Sequence, residues 1–209
     1  FSANHLRVEN SEQSLVLRRP GGKDIALQRY RDIMMAAEDG TRIVVLACEN
    51  QEEIHYAMPV RGMLYDALNY VDQVSQLGKI RRGSKDLKGS AEFLSGLKRD
   101  DRLTPVLTII FYYGEEEWNG TQELHDLLGI HTKEYKMLKK YVPNYRINLI
   151  DPKRLDNTAC FQTDLQMIFG MLKCRKNKEE LKRYVQNNRA YFVQVDQDSY
   201  NAVCAMLGS

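Results

Sequence analysis

The sequence has 209 residues, enough for one domain with a sizeable core or for one domain with an appendage. Its formal charge of +2 comes from 30 Lys and Arg against 28 Asp and Glu, so total charge does not by itself indicate a nucleic-acid-binding protein. No apolar run approaches about 18 residues and no signal-like segment opens the chain. We therefore expect a soluble, cytoplasmic protein without a membrane span.

The cysteines and histidines form no recognisable ligand pattern. Four cysteines lack a CxxC pairing, and four histidines share no metal-ligand spacing. We therefore expect reduced thiols and no zinc site.

The first 28 residues contain two strand candidates. They lie at residues 14–19 and 25–27, and Pro20, Gly21 and Gly22 supply a turn between them. Together with the hairpin that follows, they predict a three-stranded antiparallel meander.

Residues 29–51 form the segment around which the rest is organised. Asp39-Gly40 lies between two apolar runs, which is the strongest short-range signal for a β-hairpin. A two-residue turn would place Glu38 opposite Thr41, Ala37 opposite Arg42 and Asp32 opposite Ala47. Because side chains alternate along a strand, Asp32 and Glu49 would share one face, diagonally about 7 Å apart between Cα atoms.

Two carboxylates this close repel each other unless a cation lies between them. Oxygen donors suit Mg²⁺ or Mn²⁺, with the backbone carbonyl of Asn50 and water completing the coordination. Such an ion can activate water at a phosphodiester. The spacing alone leaves a second interpretation open, in which Asp32 and Glu49 are ordinary solvent-facing acids at a strand entry and a strand exit.

A helix is predicted over residues 54–77, with Pro59 in its first turn. The apolar stripe of this helix contains Ala57, Leu64, Leu68 and Val71. Arg61 falls on the same stripe, where a charge requires a partner. Arg61 could pair with Glu49 or with Asp66, or it could contact substrate phosphate. We favour the supporting role, paired with an acid, over direct phosphate contact.

Composition shifts over residues 78–102, and its first part, residues 78–90, predicts a mobile loop, because glycines and serines interrupt the pattern. This first part is basic and has Asp86 as its opposing charge. A flexible arm that grips a DNA backbone and a solvated loop are both consistent with this composition. The candidate DNA-contacting residues are Lys79, Arg81, Arg82 and Lys85, together with Lys88 in the same basic run.

A second apolar strand is predicted over residues 103–113, starting after Pro105. Because it follows a helix, it should lie parallel to the strand that ends in Glu49. Short helices are predicted at 121–128 and 133–141, and a strand at 145–150. Later helices are predicted at 164–172, 179–187 and 199–207. We expect a core over residues 1–151 and a helical extension over residues 152–209.

Several separate blocks of the sequence resemble the recombination-promoting nuclease group of the PD-(D/E)XK nuclease superfamily, whose members are often labelled transposases. The resemblance runs from about residue 23 to the end of the chain. Its blocks are RYRD (29–32), ENQ (49–51), MPVRGMLYDALNY (58–70), FLSGLKRDDRLTPVLTIIFYYGEEEW (93–118) and YVPNYRINLID (141–151).

The resemblance implies an α/β, restriction-endonuclease-like core with a mixed central sheet, an antiparallel meander plus parallel strands, flanked by helices. It implies that Asp32 and Glu49 are metal ligands and that Gln51 takes the place of the usual catalytic lysine. Lysine brings a positive charge to the attacking water, whereas glutamine only orients water or phosphate through hydrogen bonds. A slow enzyme is therefore expected.

The leading hypothesis is a metal-dependent DNA endonuclease of low sequence specificity. An alternative is a catalytically weak or inactive nuclease-fold module that binds DNA or a protein. A third is a structural or inhibitory module, for instance one that pairs with a related nuclease, and a homodimer is left open. No motif for strand transfer is visible, so the transposase label is not evidence of that chemistry.

Overall fold

The structure is a computed structural model that describes residues 6–8, 12–17, 25–30, 33–38, 43–130, 132–156, 158, 161, 164–195 and 197–207. Up to residue 49 it gives the course of the backbone, and from Asn50 onwards it gives most side chains as well. Three predicted features lie outside the described residues: the turn at Pro20, the side chain of Asp32 and the turn at Asp39-Gly40.

The described elements alternate strands and helices, as expected for a mixed α/β protein. The strands are β1 (Leu6–Val8), β2 (Glu12–Leu17), β3 (Ile25–Tyr30), β4 (Ile33–Glu38), β5 (Ile43–Gln51), β6 (Val106–Tyr112) and β7 (Asn148–Ile150). The helices are α1 (Met58–Gly83), α2 (Ser90–Ser95), α3 (Leu124–Leu127), α4 (Leu165–Cys174), α5 (Lys178–Asn187), α6 (Arg189–Phe192) and α7 (Gln197–Leu207), with short 3₁₀ turns at Lys136–Lys140 and Pro152–Arg154.

The strands form a five-stranded sheet in the order β1-β4-β5-β6-β7 and a separate two-stranded sheet of β2 and β3. Within the larger sheet, β1 pairs antiparallel with β4, and β4 pairs antiparallel with β5. The predicted three-stranded meander is therefore wrong about which strands pair. β3 pairs with β2 in its own sheet, and β1 takes the place beside β4.

The pairing of β4 with β5 differs by two residues from the predicted register. Glu38 pairs with Ile43, and Ile33 pairs with Cys48. This register aligns the apolar run of β5 with β4, and the polar residues 39–42 fall between the paired strands. The apolar pattern outweighed the Asp-Gly signal for a two-residue turn.

β5, β6 and β7 run parallel to one another. The Tyr113 N–H, just after β6, donates to the Gln51 carbonyl at the end of β5 over 3.0 Å, so the carboxyl ends of these strands lie together. The Asn148 side chain, at the start of β7, donates to the Thr108 carbonyl near the start of β6 over 2.9 Å. The predicted start of β6 after Pro105 and its parallel direction are confirmed.

Backbone contacts divide the chain into two compact units. The first comprises Phe1–Glu49, Tyr56–Ile110 and Thr121–Asn148, and the second comprises Asn50–His55, Phe111–Gly120 and Leu149–Ser209. In the first unit, Tyr65, Leu68 and Ile110 are buried. In the second, Phe111 stacks on Phe169 with ring centroids 5.4 Å apart, and Tyr112 packs edge-on against Trp118.

Helix α1 starts and ends later than predicted. Pro59 lies in its first turn, as expected, but the helix continues to Gly83, into the first part of the predicted basic loop. Its buried face is also rotated: Tyr65 and Asn69 are buried, whereas Val71 is 44% exposed. Among the described residues, no helix combines the length and the apolar character needed to cross a membrane.

Candidate functional site

The candidate metal site lies at the end of β5. Glu49 directly follows Cys48 in the sequence, Asp32 directly precedes Ile33, and Cys48 and Ile33 are a registered pair. The described backbone therefore pairs the two sequence neighbours of the predicted acids. Asp32 itself lies outside the described residues, and of Glu49 the structure gives the backbone within β5.

Asn50 and Gln51 form the described part of this site. The Gln51 Nε2 amide donates to the Asn50 carbonyl over 2.8 Å, and the Gln51 carbonyl accepts the Tyr113 N–H over 3.0 Å. Asn50 is exposed and Gln51 is half-buried.

The chemistry of the donor set fits a hard divalent cation. Two carboxylates and one backbone carbonyl are all oxygen donors, which Mg²⁺ and Mn²⁺ prefer over sulfur or imidazole. Within the described part of the chain, no group of three His, Cys, Asp or Glu side chains forms a further metal site.

Arg61 is held against its neighbour on α1. Its Nε donates to the Tyr65 hydroxyl over 3.3 Å, and its guanidinium lies 5.5 Å from the centre of the Tyr65 ring. The ring therefore orients the Arg61 side chain. Asp66, which the sequence offers as a partner, accepts hydrogen bonds from Thr108 and from Tyr145.

The predicted basic loop is an ordered helix end and turn. Arg81 bonds Asp86 over 2.8 Å and also bonds Asp101, and Lys98 pairs with Asp86. Asp101 was missed as an opposing charge because it is 20 residues from Arg81 in sequence. Arg81 is thus engaged in ion pairs, while Lys79, Arg82 and Lys85 have exposed side chains.

Hydrogen bonds and charge lower the pKa of both acids in this cluster. The hydrogen bond from Lys98 is the main cause for Asp86, and the hydrogen bond from Arg81 is the main cause for Asp101. The carboxylate forms are favoured, so both acids hold their cations across the neutral pH range.

A buried carboxylate and lysine after β7 were not predicted. The Asp151 side chain is 1% exposed, and its Oδ1 lies 3.5 Å from Lys153 Nζ. Lys153 also donates to the carbonyls of Gly114 and Glu116 and lies 4.5 Å from the centre of the Tyr112 ring. Burial lowers the pKa of Lys153, and Asp151 opposes that shift. The Asp-Pro-Lys run after a short strand is the sequence signal that could have found it.

The fold defines a mixed α/β protein whose sheet is parallel across β5, β6 and β7. A family model described as "Putative transposase, YhgA-like" matches residues 91–201, more than half of the sequence. The chain belongs to that family. The matched segment starts after Gln51, so the candidate metal residues lie outside it. No curated protein and no solved structure matches the chain.

Proposed function

We propose that this chain is a metal-dependent DNA endonuclease of low sequence specificity, built on a restriction-endonuclease-like core. The observation that supports it is the pairing of Ile33 with Cys48, because each of these residues is the direct sequence neighbour of a predicted ligand. The resemblance of separate sequence blocks to the recombination-promoting nucleases, and membership of a transposase-named family, favour phosphodiester chemistry.

In this proposal Asp32, Glu49 and the Asn50 carbonyl hold Mg²⁺ or Mn²⁺. When bound, the ion supplies an activated water and offsets negative charge on the phosphate. The Gln51 amide, fixed through its Nε2 on the Asn50 carbonyl, presents its Oε1 as an acceptor that orients a water. Since this amide is neutral, it adds no charge to the transition state, and turnover should be slow. The reaction is hydrolysis rather than strand transfer.

Nicking of supercoiled plasmid by the purified chain tests this proposal. We expect relaxed plasmid in Mg²⁺ or Mn²⁺, none in EDTA, and none with Glu49→Ala or Asp32→Ala. Glu117→Ala is the matched control, because Glu117 is an exposed acid and should leave nicking unchanged.

Nicking that survives in Glu49→Ala would contradict the assigned site. DNA binding by the wild-type chain without nicking in either metal would favour the alternative, a nuclease-fold module that binds without cutting. This alternative is favoured by the presence of Gln51 where related nucleases have a catalytic lysine.

A further inference from the structure

The end of α1 carries a lysine where a helix usually has glycine. The Asp86 N–H bonds the Arg81 carbonyl over 3.1 Å, and the Lys85 N–H bonds the Arg82 carbonyl over 3.2 Å. These two bonds form a Schellman motif, whose residue after the cap adopts the left-handed conformation. Here that residue is Lys85, with φ of 52°. Residues other than glycine rarely adopt the left-handed backbone conformation, and those that do are concentrated at functional sites.

The cations around this turn fall into two groups. Arg81 and Lys98 are engaged by Asp86 and Asp101, which fixes the turn. Arg82 and Lys85 are exposed and form no ion pair with any residue that the structure describes. The side chains of Arg82 and Lys85 can therefore bind an external anion.

An aromatic side chain lies beside these two cations. Phe93 on α2 is 61% exposed and lines a cavity of about 250 Å³ together with Arg81, Arg82, Lys85 and Leu87. We call this the basic pocket. Its volume is far above the roughly 15 Å³ that one water needs, so it has room for a planar ring. Leu87, 6% exposed, forms an apolar lining.

We propose that the basic pocket binds single-stranded DNA, with one base stacked on Phe93 and the adjacent phosphates held by Arg82 and Lys85. An exposed aromatic ring beside unpaired cations is the arrangement that binds unstacked nucleotides, because the ring offers a face and the cations hold the backbone. Bases within a duplex are already stacked and cannot reach the ring. The choice of DNA rests on the proposed function, but the binding requires no cleavage.

Fluorescence anisotropy with a labelled oligothymidine, in EDTA and with the full chain, tests the inference. We expect Phe93→Ala to weaken binding by about tenfold and Phe93→Trp to retain it. Leu94→Ala is the matched control, since Leu94 is 89% exposed on the same helix but does not line the pocket. It should leave affinity within about twofold of wild type, below the range for a stacked base.

Lys85→Gly separates binding from folding. Glycine suits the left-handed position, so the melting temperature should not fall, while loss of the cation weakens binding and lowers the salt slope by about one. Equal affinities for Phe93→Ala and Leu94→Ala would overturn the inference, as would a Phe93→Ala loss of the same size on duplex DNA. If Glu49→Ala nicked plasmid as the wild type does, the proposed nuclease site would be wrong. If Phe93→Ala still bound oligothymidine more weakly than the wild type, this inference would nevertheless stand.

Discussion

Gly114 lies where two backbone segments approach too closely for any side chain. A Cβ built at Gly114 would overlap the Glu52 carbonyl oxygen, a backbone atom that cannot rotate away. The segments that follow β5 and β6 are therefore packed directly against each other here.

Gly114→Ala should destabilise the fold by about 3 kcal/mol, because one of the two backbone segments must shift. Gly83→Ala is the control: a Cβ there meets nothing within 4 Å, and alanine in a helix should stabilise by about 0.5 kcal/mol. Urea unfolding measures both. A Gly114→Ala midpoint equal to that of the wild type would show that the close approach is not real.

Asp151 and Lys153 form a buried pair at the end of β7. Asp151 Oδ2 is buried and has no hydrogen-bond partner among the described residues, so Lys153 provides the main compensation for this carboxylate. Removing one member of a buried pair leaves the other charge uncompensated.

Lys153→Met should therefore cost about 3 kcal/mol of unfolding free energy. Adding Asp151→Asn should recover part of that loss, because the neutral amide is cheaper to bury. A double-mutant cycle by chemical unfolding measures the coupling. If the effects of Lys153→Met and Asp151→Asn, measured singly, added up to the effect of the double variant, the two side chains would not stabilise each other.

At the scale of elements, strand and helix identities follow the sequence more closely than pairing and boundaries do. The apolar run of β5 and the start of β6 after Pro105 were predictable, because continuous apolar runs and proline are strong local signals. The β4–β5 register was not, because the Asp39-Gly40 signal for a two-residue turn competes with pairing of the apolar runs. The split of β2 and β3 into a second sheet depends on tertiary packing, which local patterns do not encode.

The last turns of α1 show why composition misled the loop prediction. Glycine and basic residues there suggest a mobile arm, yet Arg81 is anchored by Asp86 and Asp101, and both Arg81 and Arg82 complement the helix dipole. The ion pair that fixes this helix end joins residues 20 positions apart. A long-range contact of this kind cannot be read from local sequence.

The Arg81–Asp101 ion pair should make the free energy of unfolding depend on pH in the acid range. In the folded chain the pKa of Asp101 lies below 3.8, the usual value for an aspartate, chiefly because of the hydrogen bond from Arg81. The pair therefore contributes stability above pH 3.8, and this contribution is lost as the pH falls below that value.

We predict that Asp101→Asn lowers the melting temperature at neutral pH and that the difference from wild type shrinks below pH 3.8. Thermal melts across the acid range measure this. Asp100→Asn, at the exposed neighbouring acid, should match the wild type at neutral pH. A difference for Asp101→Asn that stays constant into acid would exclude the pair as its source.

At the scale of the whole molecule, the family assignment and the candidate metal site rest on different parts of the chain. The family match covers residues 91–201, from α2 to α7, whereas the predicted ligands precede α1. Sequence spacing selected Asp32 and Glu49, and the observed register pairs their sequence neighbours, Ile33 and Cys48. The half-buried Asp66 escaped prediction as a centre of hydrogen bonds, since Thr108 and Tyr145, which donate to it, come from distant segments.

If Asp32 and Glu49 bind one divalent cation together, titration calorimetry with Mn²⁺ on the full chain will detect that ion. We expect a single Mn²⁺ site in the wild type that is lost in Asp32→Asn and in Glu49→Gln, and that is retained in Glu117→Gln. Unchanged Mn²⁺ binding in both ligand variants, or no Mn²⁺ binding by the wild-type chain, would contradict this expectation.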